Sequence, residues 1–177
     1  TNLYNLEELT LSQNRFTGQI SDIASLPNSL AKLDLSQNEL TGTIPGSELA
    51  KLDKLTLLSL AKNKLEGPIP AELGNLKNLK FLVLEHNQFV GPIPSEIFSL
   101  NLETISFAGN PISGEIPEDI TKVSTLQRLY MQNNQLCGII PSSLGNLTNL
   151  ENLNLEGNQL TGIIPPEIFT LENLRYL

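Results

Sequence analysis

The chain has 177 residues, 40% of them hydrophobic, with no tryptophan, one cysteine and a formal net charge of −8 at pH 7. This acidic balance, without a run of lysines or arginines, argues against nucleic acid and anionic membranes as partners. A single cysteine excludes an internal disulfide. The sequence shows no signal peptide, no lipidation motif and no apolar run long enough to predict membrane insertion by this segment.

One sequence motif recurs along the chain, with an asparagine near its middle. Its clearest copy runs from Leu79 to Pro94, and its pattern is L-x-x-L-x-L-x-x-N-x-L-x-G-x-I-P. Successive asparagines are separated by 24, 25, 24, 23, 24 and 24 residues. A period this regular predicts a solenoid of stacked repeats. The repeated asparagines are Asn14, Asn38, Asn63, Asn87, Asn110, Asn134 and Asn158.

The repeats follow one another without a linker, from Leu6 in the first to Leu174 and Leu177 in an eighth. We therefore expect one domain over residues 1–177, with seven repeats of about 24 residues, the start of an eighth, and no terminal caps. The longer spacing comes from an extra residue in 46–48, and the shorter one from a deletion in 98–102. Both lie after the strand, where changes in loop length are tolerated.

Each part of the pattern has a physical interpretation. The last two leucines of L-x-x-L-x-L alternate with polar residues, which predicts a half-buried strand and, after stacking, a parallel sheet with one strand per repeat. The glycine of L-x-G-x-I-P permits an unusual backbone conformation at a bend, and the following proline ends the extended segment. The return segment, such as residues 73–79, is apolar at every third residue, which predicts a short 3₁₀ turn.

The asparagine side chain both donates and accepts hydrogen bonds, so it suits a turn that leaves backbone groups open. Stacking the turns places these amides in one column. We therefore expect all seven to form a buried ladder that satisfies backbone groups between neighbouring repeats.

The full pattern resembles the plant-specific subtype of leucine-rich repeat (LRR) over essentially the whole chain. It is similar to the ectodomains of LRR receptor-like kinases, receptor-like proteins and polygalacturonase-inhibiting proteins. The resemblance implies an α/β repeat solenoid, a horseshoe or superhelix with a parallel β-sheet on its concave face and short 3₁₀ turns on its convex face. It also implies a glycoprotein at the cell surface or outside the cell.

The same resemblance implies a protein or peptide ligand, with a co-receptor or a glycan as further partners. Three features differ from the family. The chain lacks a cap with paired cysteines, it ends inside a repeat, and it has one N-glycosylation sequon, Asn146-Leu147-Thr148. We interpret the sequence as part of a larger protein, and we expect Asn146 to carry a glycan if the chain is secreted.

Catalytic chemistry is not indicated. His86 and Cys137 lie two repeats apart, which is roughly 10 Å at the spacing of neighbouring strands, whereas a nucleophile and its base must lie within about 3 Å. Glu85 and Glu156 share a column but lie three repeats apart, roughly 14 Å, beyond the gap used by a glycosidase pair. Without a metal-ligand cluster or a phosphate-binding loop, we expect no enzyme activity, no metal and no cofactor.

Cys137 and His86 also have simpler interpretations. Cys137 fills a variable bend position that holds Thr17 and Thr41 in earlier repeats, so we favour a small side chain there over a redox role. For His86, a solvated residue at a strand end is favoured over a ligand contact.

The outward-facing residues of the parallel strands are not fixed by the repeat, so they are free to serve binding. Apolar and aromatic residues gather in the middle repeats, with charged residues beside them. Small residues at Thr104, Ser106, Ala108 and Gly109 predict a shallow dip between two raised repeats. An exposed apolar patch with a polar rim, anchored by aromatic residues and arginine, is typical of an interaction site. The predicted binding residues on the concave face are Leu57, Phe81, Val83, Glu85, His86, Arg128 and Tyr130.

The favoured hypothesis is a non-catalytic protein- or peptide-recognition module, the ligand-binding region of a cell-surface or secreted receptor-like protein. The alternative is a structural LRR subunit that docks inside a larger complex, including an intracellular one, with the outward residues scattered on the surface. An array that binds ice or polysaccharide is less favoured, because glutamate, lysine and aromatic residues interrupt every polar column.

Overall fold

The computed structural model describes residues 3–177, apart from the side chains of residues 22–24. The predicted solenoid begins at Thr1, and Thr1 and Asn2 lie outside the described residues. Each turn of the solenoid consists of a strand, a tight turn at the asparagine, a second extended segment and a helical turn that returns to the next strand.

The first strands of the repeats form one continuous parallel sheet in chain order, which we call the main sheet. Phe81 pairs with Thr104, and Thr104 pairs with Arg128, so the sequence columns are the structural columns. An isolated bridge between Asn152 and Tyr176 adds the eighth repeat. The predicted parallel sheet and its register are therefore confirmed. Its strands are Glu8–Thr10, Lys32–Asp34, Leu57–Ser59, Phe81–Val83, Thr104–Ser106, Arg128–Tyr130 and Asn152–Asn154.

A second set of parallel strands follows the asparagines, where the sequence analysis predicted only a bend. Backbone groups of the L-x-G segments pair between neighbouring repeats; for example, Glu39 N–H donates to Phe16 O at 2.9 Å. These strands form a four-stranded and a two-stranded sheet, which we call the lateral sheets. They are Thr17–Gln19, Glu39–Gly42, Lys64–Pro68 and Gln88–Val90 in the first, and Ser113–Glu115 and Gln135–Cys137 in the second.

At two positions of the lateral sheets, glycine is required by both conformation and space. Gly67 and Gly138 have φ of +79° and +77°, a region that side chains disfavour. A Cβ at Gly67 would lie 2.8 Å from Thr43 Cγ2, and one at Gly138 would lie 2.9 Å from Glu115 Cγ. Both obstructing side chains belong to the preceding repeat, so the glycine allows successive lateral strands to pack closely.

Pro111 explains why the lateral sheet is interrupted. At the same position of the next repeat, Gln135 donates its backbone N–H to Ile112 O at 2.8 Å. Proline has no N–H to donate. The two lateral sheets are accordingly joined at this point by an isolated bridge between Gly91 and Ile112.

The return segments are short helical turns, as predicted. The extra residue at 46–48 is accommodated as a single α-helical turn, Gly46–Leu49. The deletion in 98–102 changes the backbone conformation of Leu100, the residue that follows the 3₁₀ helix. Leu100 is extended (φ −94°, ψ 158°), whereas Leu76 at the same place in the preceding repeat has φ −77° and ψ 69°. None of the helices in residues 3–177 is long and apolar enough to cross a membrane. The 3₁₀ helices are Ile20–Ser25, Ala71–Asn75, Ser95–Ser99, Glu118–Lys122, Ser142–Asn146 and Pro166–Thr170.

The core is a column of side chains that runs along the solenoid axis. The middle residue of each inner strand of the main sheet is buried; Leu58, Leu82 and Ile105 are all 0% exposed. Burial of one such side chain stabilises the fold by about 1.5–3 kcal/mol. Because each repeat packs mainly against its two neighbours, this stabilisation is shared along the array.

The asparagines connect each repeat to the one before it. Asn87 Nδ2 donates to Leu84 O at 3.2 Å within its own turn and to Leu60 O at 2.9 Å in the preceding repeat. Its Oδ1 accepts from Leu65 N–H at 3.1 Å, also in the preceding repeat. One side chain therefore satisfies backbone groups of two repeats.

Burial of this ladder varies along the chain. Asn38, Asn87, Asn110 and Asn134 are buried, whereas Asn63 and Asn158 are half-buried. For Asn14 the expectation of burial is wrong, because no described repeat stacks on its N-terminal side. It is exposed and donates to carbonyls of its own turn, Leu11 O and Ser12 O.

A second amide ladder, which the sequence analysis did not predict, runs along the return side. Asn78 Nδ2 donates to Asp53 O at 2.7 Å, and Asn149 Nδ2 donates to Ser124 O at 2.8 Å. Both bonds connect a return segment to the one before it, so amide side chains join neighbouring repeats on both sides of the solenoid.

Lysine–glutamate pairs also connect neighbouring repeats at the surface. The hydrogen bond from the Lys64 ammonium holds the pKa of Glu39 below its usual value. Protonation of Glu39 at low pH therefore weakens this pair, as expected for a carboxylate with a lowered pKa. Exposed pairs of this kind contribute little to stability. The pairs between repeats are Lys32–Glu8 at 2.7 Å, Lys64–Glu39 at 2.8 Å and Lys80–Glu103 at 2.9 Å.

We expect Asn87→Ala to lower the free energy of unfolding by about 2–4 kcal/mol, because it leaves Leu65 N–H and buried carbonyls without partners. Asn14→Ala is the matched control at the exposed position and should lower the free energy of unfolding by at most about 1 kcal/mol. Urea unfolding followed by circular dichroism measures both. Equal losses in the two variants would contradict the proposed role of the buried ladder.

Candidate ligand-binding face

The strands of the main sheet direct alternate residues to opposite sides. Leu82 points into the core, while Phe81 and Val83 lie on the concave side and are half-buried. This alternation follows from the pleat of a β-strand. The predicted binding residues accordingly lie on one face of a sheet whose backbone is held by its neighbours on both sides.

The predicted residues form two groups on this face. In the first, Phe81 pairs with Leu57 across neighbouring strands, and Val83 follows Phe81 on the same side of its strand. In the second, Arg128 and Tyr130 lie two strands further along. Neighbouring strands are about 4.8 Å apart, so the backbone positions of Phe81 and Arg128 are roughly 10 Å apart across the sheet.

The dip predicted at the fifth repeat is partly filled, because side chains of the fourth repeat lean over it. Ser106 is only 2% exposed, and its hydroxyl donates to Glu85 Oε2 at 2.8 Å. Ala108, the next small residue on this side, is 1% exposed. The expectation of an open dip is therefore wrong at these two positions.

His86 makes a similar contact at the end of the same strand. It is exposed, and its ring lies over Gly109, where an added Cβ would be 2.5 Å from His86 Nδ1. Glu85, His86, Phe81 and Val83 thus form one raised surface, which we call the repeat-four ridge.

The residue before each asparagine adopts a left-handed conformation that the sequence analysis missed. His86 has φ of +54°, and Gly109 and Gly157 have φ of +65° and +66° at the same position. The two glycines were the available signal, since glycine is the residue that most readily adopts this conformation. The other members of the column are Gln13, Gln37, Lys62 and Asn133, with φ between 55° and 59°.

Two polar groups near the second group of residues have no partner in residues 3–177. The half-buried Arg128 side chain makes neither an ion pair nor a hydrogen bond there. Gln132 Oε1 is buried and accepts no hydrogen bond. Polar groups of this kind are usually paired. The half-buried Arg128 is therefore available to an added partner, whereas Gln132 Oε1 is enclosed by the chain.

Cys137 and Asn146 lie away from this face. Cys137 is exposed and ends the lateral strand Gln135–Cys137. Asn146 is exposed at the end of the 3₁₀ helix Ser142–Asn146, on the return side of the solenoid. Among the residues described, no three histidine, cysteine or carboxylate side chains are placed to hold a metal ion.

Family models cover most of the chain. Residues 48–177 match the model of a leucine-rich repeat region, and residues 5–26 and 29–49 match the leucine-rich repeat model. The chain belongs to the leucine-rich-repeat family. The LRR solenoid predicted from the spacing of asparagines and leucines is thereby confirmed.

The similarity extends to plant receptors. This LRR chain is 40% identical to receptor-like protein 9b of Arabidopsis thaliana over 68 residues, which cover 38% of the chain and 7% of that protein. The matched part of the chain therefore covers less than a tenth of the length of these curated relatives.

Two solved structures have nearly the same architecture. The plant peptide hormone receptor RGFR1, in complex with RGF2, has a TM-score of 0.92 at 38% identity and covers 97% of this LRR chain and 27% of its own. The Arabidopsis receptor kinase HAESA, in complex with the peptide hormone IDA and the co-receptor SERK1, has a TM-score of 0.91 at 43% identity. Its match covers 97% of this chain and 29% of its own.

We expect Lys62→Gly to raise the free energy of unfolding by about 0.5–1 kcal/mol, because glycine removes the strain of a side chain at φ of +55°. Lys64→Gly is the control, since Lys64 lies in the regular lateral strand Lys64–Pro68 and should become less stable when replaced. Urea unfolding compares the two variants. A loss of stability in both would show that the left-handed conformation carries no strain.

Proposed function

We propose that this chain is the ligand-binding part of an LRR receptor-like protein and that its concave face binds a peptide or a protein segment without catalysis. The observation that carries the proposal is the set of half-buried apolar and aromatic side chains on the main sheet, Leu57, Phe81, Val83 and Tyr130, with the unpaired Arg128 on the same strand as Tyr130. Aromatic residues and arginine are the usual anchors of binding interfaces.

The arrangement suits an extended ligand that crosses the strands. Phe81 and Arg128 are separated by roughly 10 Å, the length of about three residues of an extended peptide. A ligand that reaches both groups must therefore pass over the fifth repeat, where the Glu85 and His86 side chains lie against Ser106 and Gly109. The sheet is already formed, so binding orders the ligand rather than the receptor.

The comparisons support the same kind of ligand. RGFR1 and HAESA, which match nearly the whole chain, were both solved in complex with a plant peptide ligand. HAESA also holds a co-receptor, and we extend to this chain the proposal of a peptide ligand with a co-receptor as a further partner.

A non-catalytic role is supported by the placement of the reactive side chains. His86 lies on the concave side, whereas Cys137 lies on a lateral strand, so the two do not share a site. The Glu85 carboxylate is bonded to Ser106 and has no second carboxylate beside it in its column, where Ala61 and Ala108 are its neighbours. These groups therefore lack the convergent geometry that a reaction requires.

We further propose a location at the cell surface or outside the cell, with a glycan on Asn146. The similarity to receptor-like proteins supports this location. Asn146 is exposed on the return side, opposite the main sheet, so a glycan there leaves the concave face free. A bulky, solubilising group at this position is compatible with ligand binding.

Replacement of both aromatic anchors, Phe81→Ser with Tyr130→Ser, should lower affinity by about 100-fold, because each change removes a central apolar contact. The probe is a display library of random dodecapeptides selected on the wild-type chain, followed by affinity measurement on the enriched synthetic peptides. The far-UV circular dichroism spectrum should be unchanged, because both side chains lie outside the core.

The matched control is Val90→Ser with Ile163→Ser, which replaces two exposed apolar residues away from the concave face; these are 44% and 80% exposed. Its affinity should equal that of the wild type. If the control loses binding and the Phe81 and Tyr130 variant retains it, the site lies on the lateral or return face instead.

Expression in a secreting eukaryotic host should place an N-glycan on Asn146, because the sequon is exposed there. Peptide mapping by mass spectrometry measures its occupancy, and Asn146→Gln supplies the unmodified control. Both forms should bind the enriched peptides equally. A glycan-dependent loss of affinity would place the ligand on the return side.

A further inference from the structure

We propose that the repeat-four ridge recognises a cationic group of the ligand, with the Glu85 carboxylate as its acceptor and Ser106 as the residue that positions Glu85. This inference rests on the proposed peptide-binding function and specifies the chemistry of its ligand. The cationic group is a lysine or arginine side chain, or the amino terminus of a peptide.

Glu85 is held in one orientation by a buried hydroxyl. Ser106 belongs to the neighbouring strand, is 2% exposed, and donates its hydroxyl to Glu85 Oε2 at 2.8 Å. A buried donor on a rigid strand fixes the carboxylate before a ligand arrives, which lowers the entropic cost of binding. The other oxygen, Oε1, accepts no hydrogen bond from residues 3–177 and is free for a ligand.

No cation of the described chain neutralises Glu85. The nearest cationic positions in the columns are Lys62, in the preceding repeat, and Arg128, two repeats further on, and neither forms an ion pair with it. This differs from Glu8 on the same face, which pairs with Lys32 at 2.7 Å. The chain therefore supplies a partner for Glu8 and leaves Glu85 for a cation from outside.

The surroundings of Glu85 fit the whole of a basic side chain. Val83 lies two residues before Glu85 on the same side of the chain and provides an apolar contact for the methylene stem of lysine or arginine, and Phe81 extends this apolar surface to the next residue of the ligand. In the column of Glu85, the neighbouring residues are Ala61 and Ala108, which carry no charge that could pair with a bound cation.

The net charge supports the same ligand chemistry. At −8, the chain attracts cationic peptides over distances of about a Debye length, roughly 8–10 Å at physiological salt. This long-range attraction raises the association rate, while the oriented carboxylate determines where the cation binds.

The test begins with the same random dodecapeptide library selected on the wild-type chain. Enriched peptides should contain lysine or arginine next to an apolar residue. For the strongest synthetic peptide, Glu85→Gln should lower affinity by about tenfold or more, because a charge-assisted hydrogen bond is lost. Replacing the basic residue of the peptide with glutamine should have the same effect, and the two changes together should cost no more than either alone.

Ser106→Ala tests the positioning role. It should lower affinity by about threefold to tenfold for the basic peptide and should have no effect in the Glu85→Gln background or on the glutamine peptide. A merely structural role of Ser106 would weaken binding in all of these combinations. Glu156→Gln, which removes a carboxylate from the same column three repeats away, is the control and should leave affinity unchanged.

The remaining outcomes separate the two proposals. If acetylation of the peptide amino terminus abolishes binding, the cation is the terminal ammonium; if it does not, the cation is the side chain. Enriched peptides that lack basic residues, bind equally well after acetylation of the amino terminus and yet depend on Phe81 and Tyr130 would overturn the Glu85 inference and leave peptide binding intact. Failure to enrich any peptide on the wild-type chain would overturn both.

Discussion

The structure depends on how a stack of parallel turns satisfies its backbone hydrogen bonds. Each repeat must leave the main sheet within a few residues, and a tight exit leaves carbonyls and N–H groups unpaired in the interior. The asparagine side chain resolves this, because one amide reaches carbonyls of its own turn and groups of the preceding repeat, as Asn87 does with Leu84 O and Leu60 O. The left-handed residue before it completes the turn.

This arrangement separates the residues that form the fold from those that meet the surroundings. The leucines of each repeat form the core, and the asparagines form the ladder. The outward residues of the main sheet contribute little to the stability of the fold except where they contact the next repeat. Ser106 is such an exception, since its buried hydroxyl binds a residue of the outward set. A concave face of this kind varies in chemistry without loss of the scaffold.

The sequence was sufficient to predict the main sheet and its register, because alternating leucines such as Leu58 and Leu60 have the period of a strand and recur at a fixed distance. It did not predict the lateral sheets, since each L-x-G segment is too short to show a period and its pairing partner lies in another repeat. The left-handed column was missed because glutamine, lysine and histidine do not signal positive φ. The contact of Ser106 with Glu85 depends on side-chain orientation between repeats, which spacing alone does not determine.

Pro111 interrupts the pairing of the lateral strands along the array. The lateral pairing lacks a backbone donor at that position, and the fourth and fifth repeats are joined there by an isolated bridge between Gly91 and Ile112. Phe81 and Arg128 lie on opposite sides of this junction. A ligand that contacts both would therefore add a connection between repeats where the lateral pairing is interrupted.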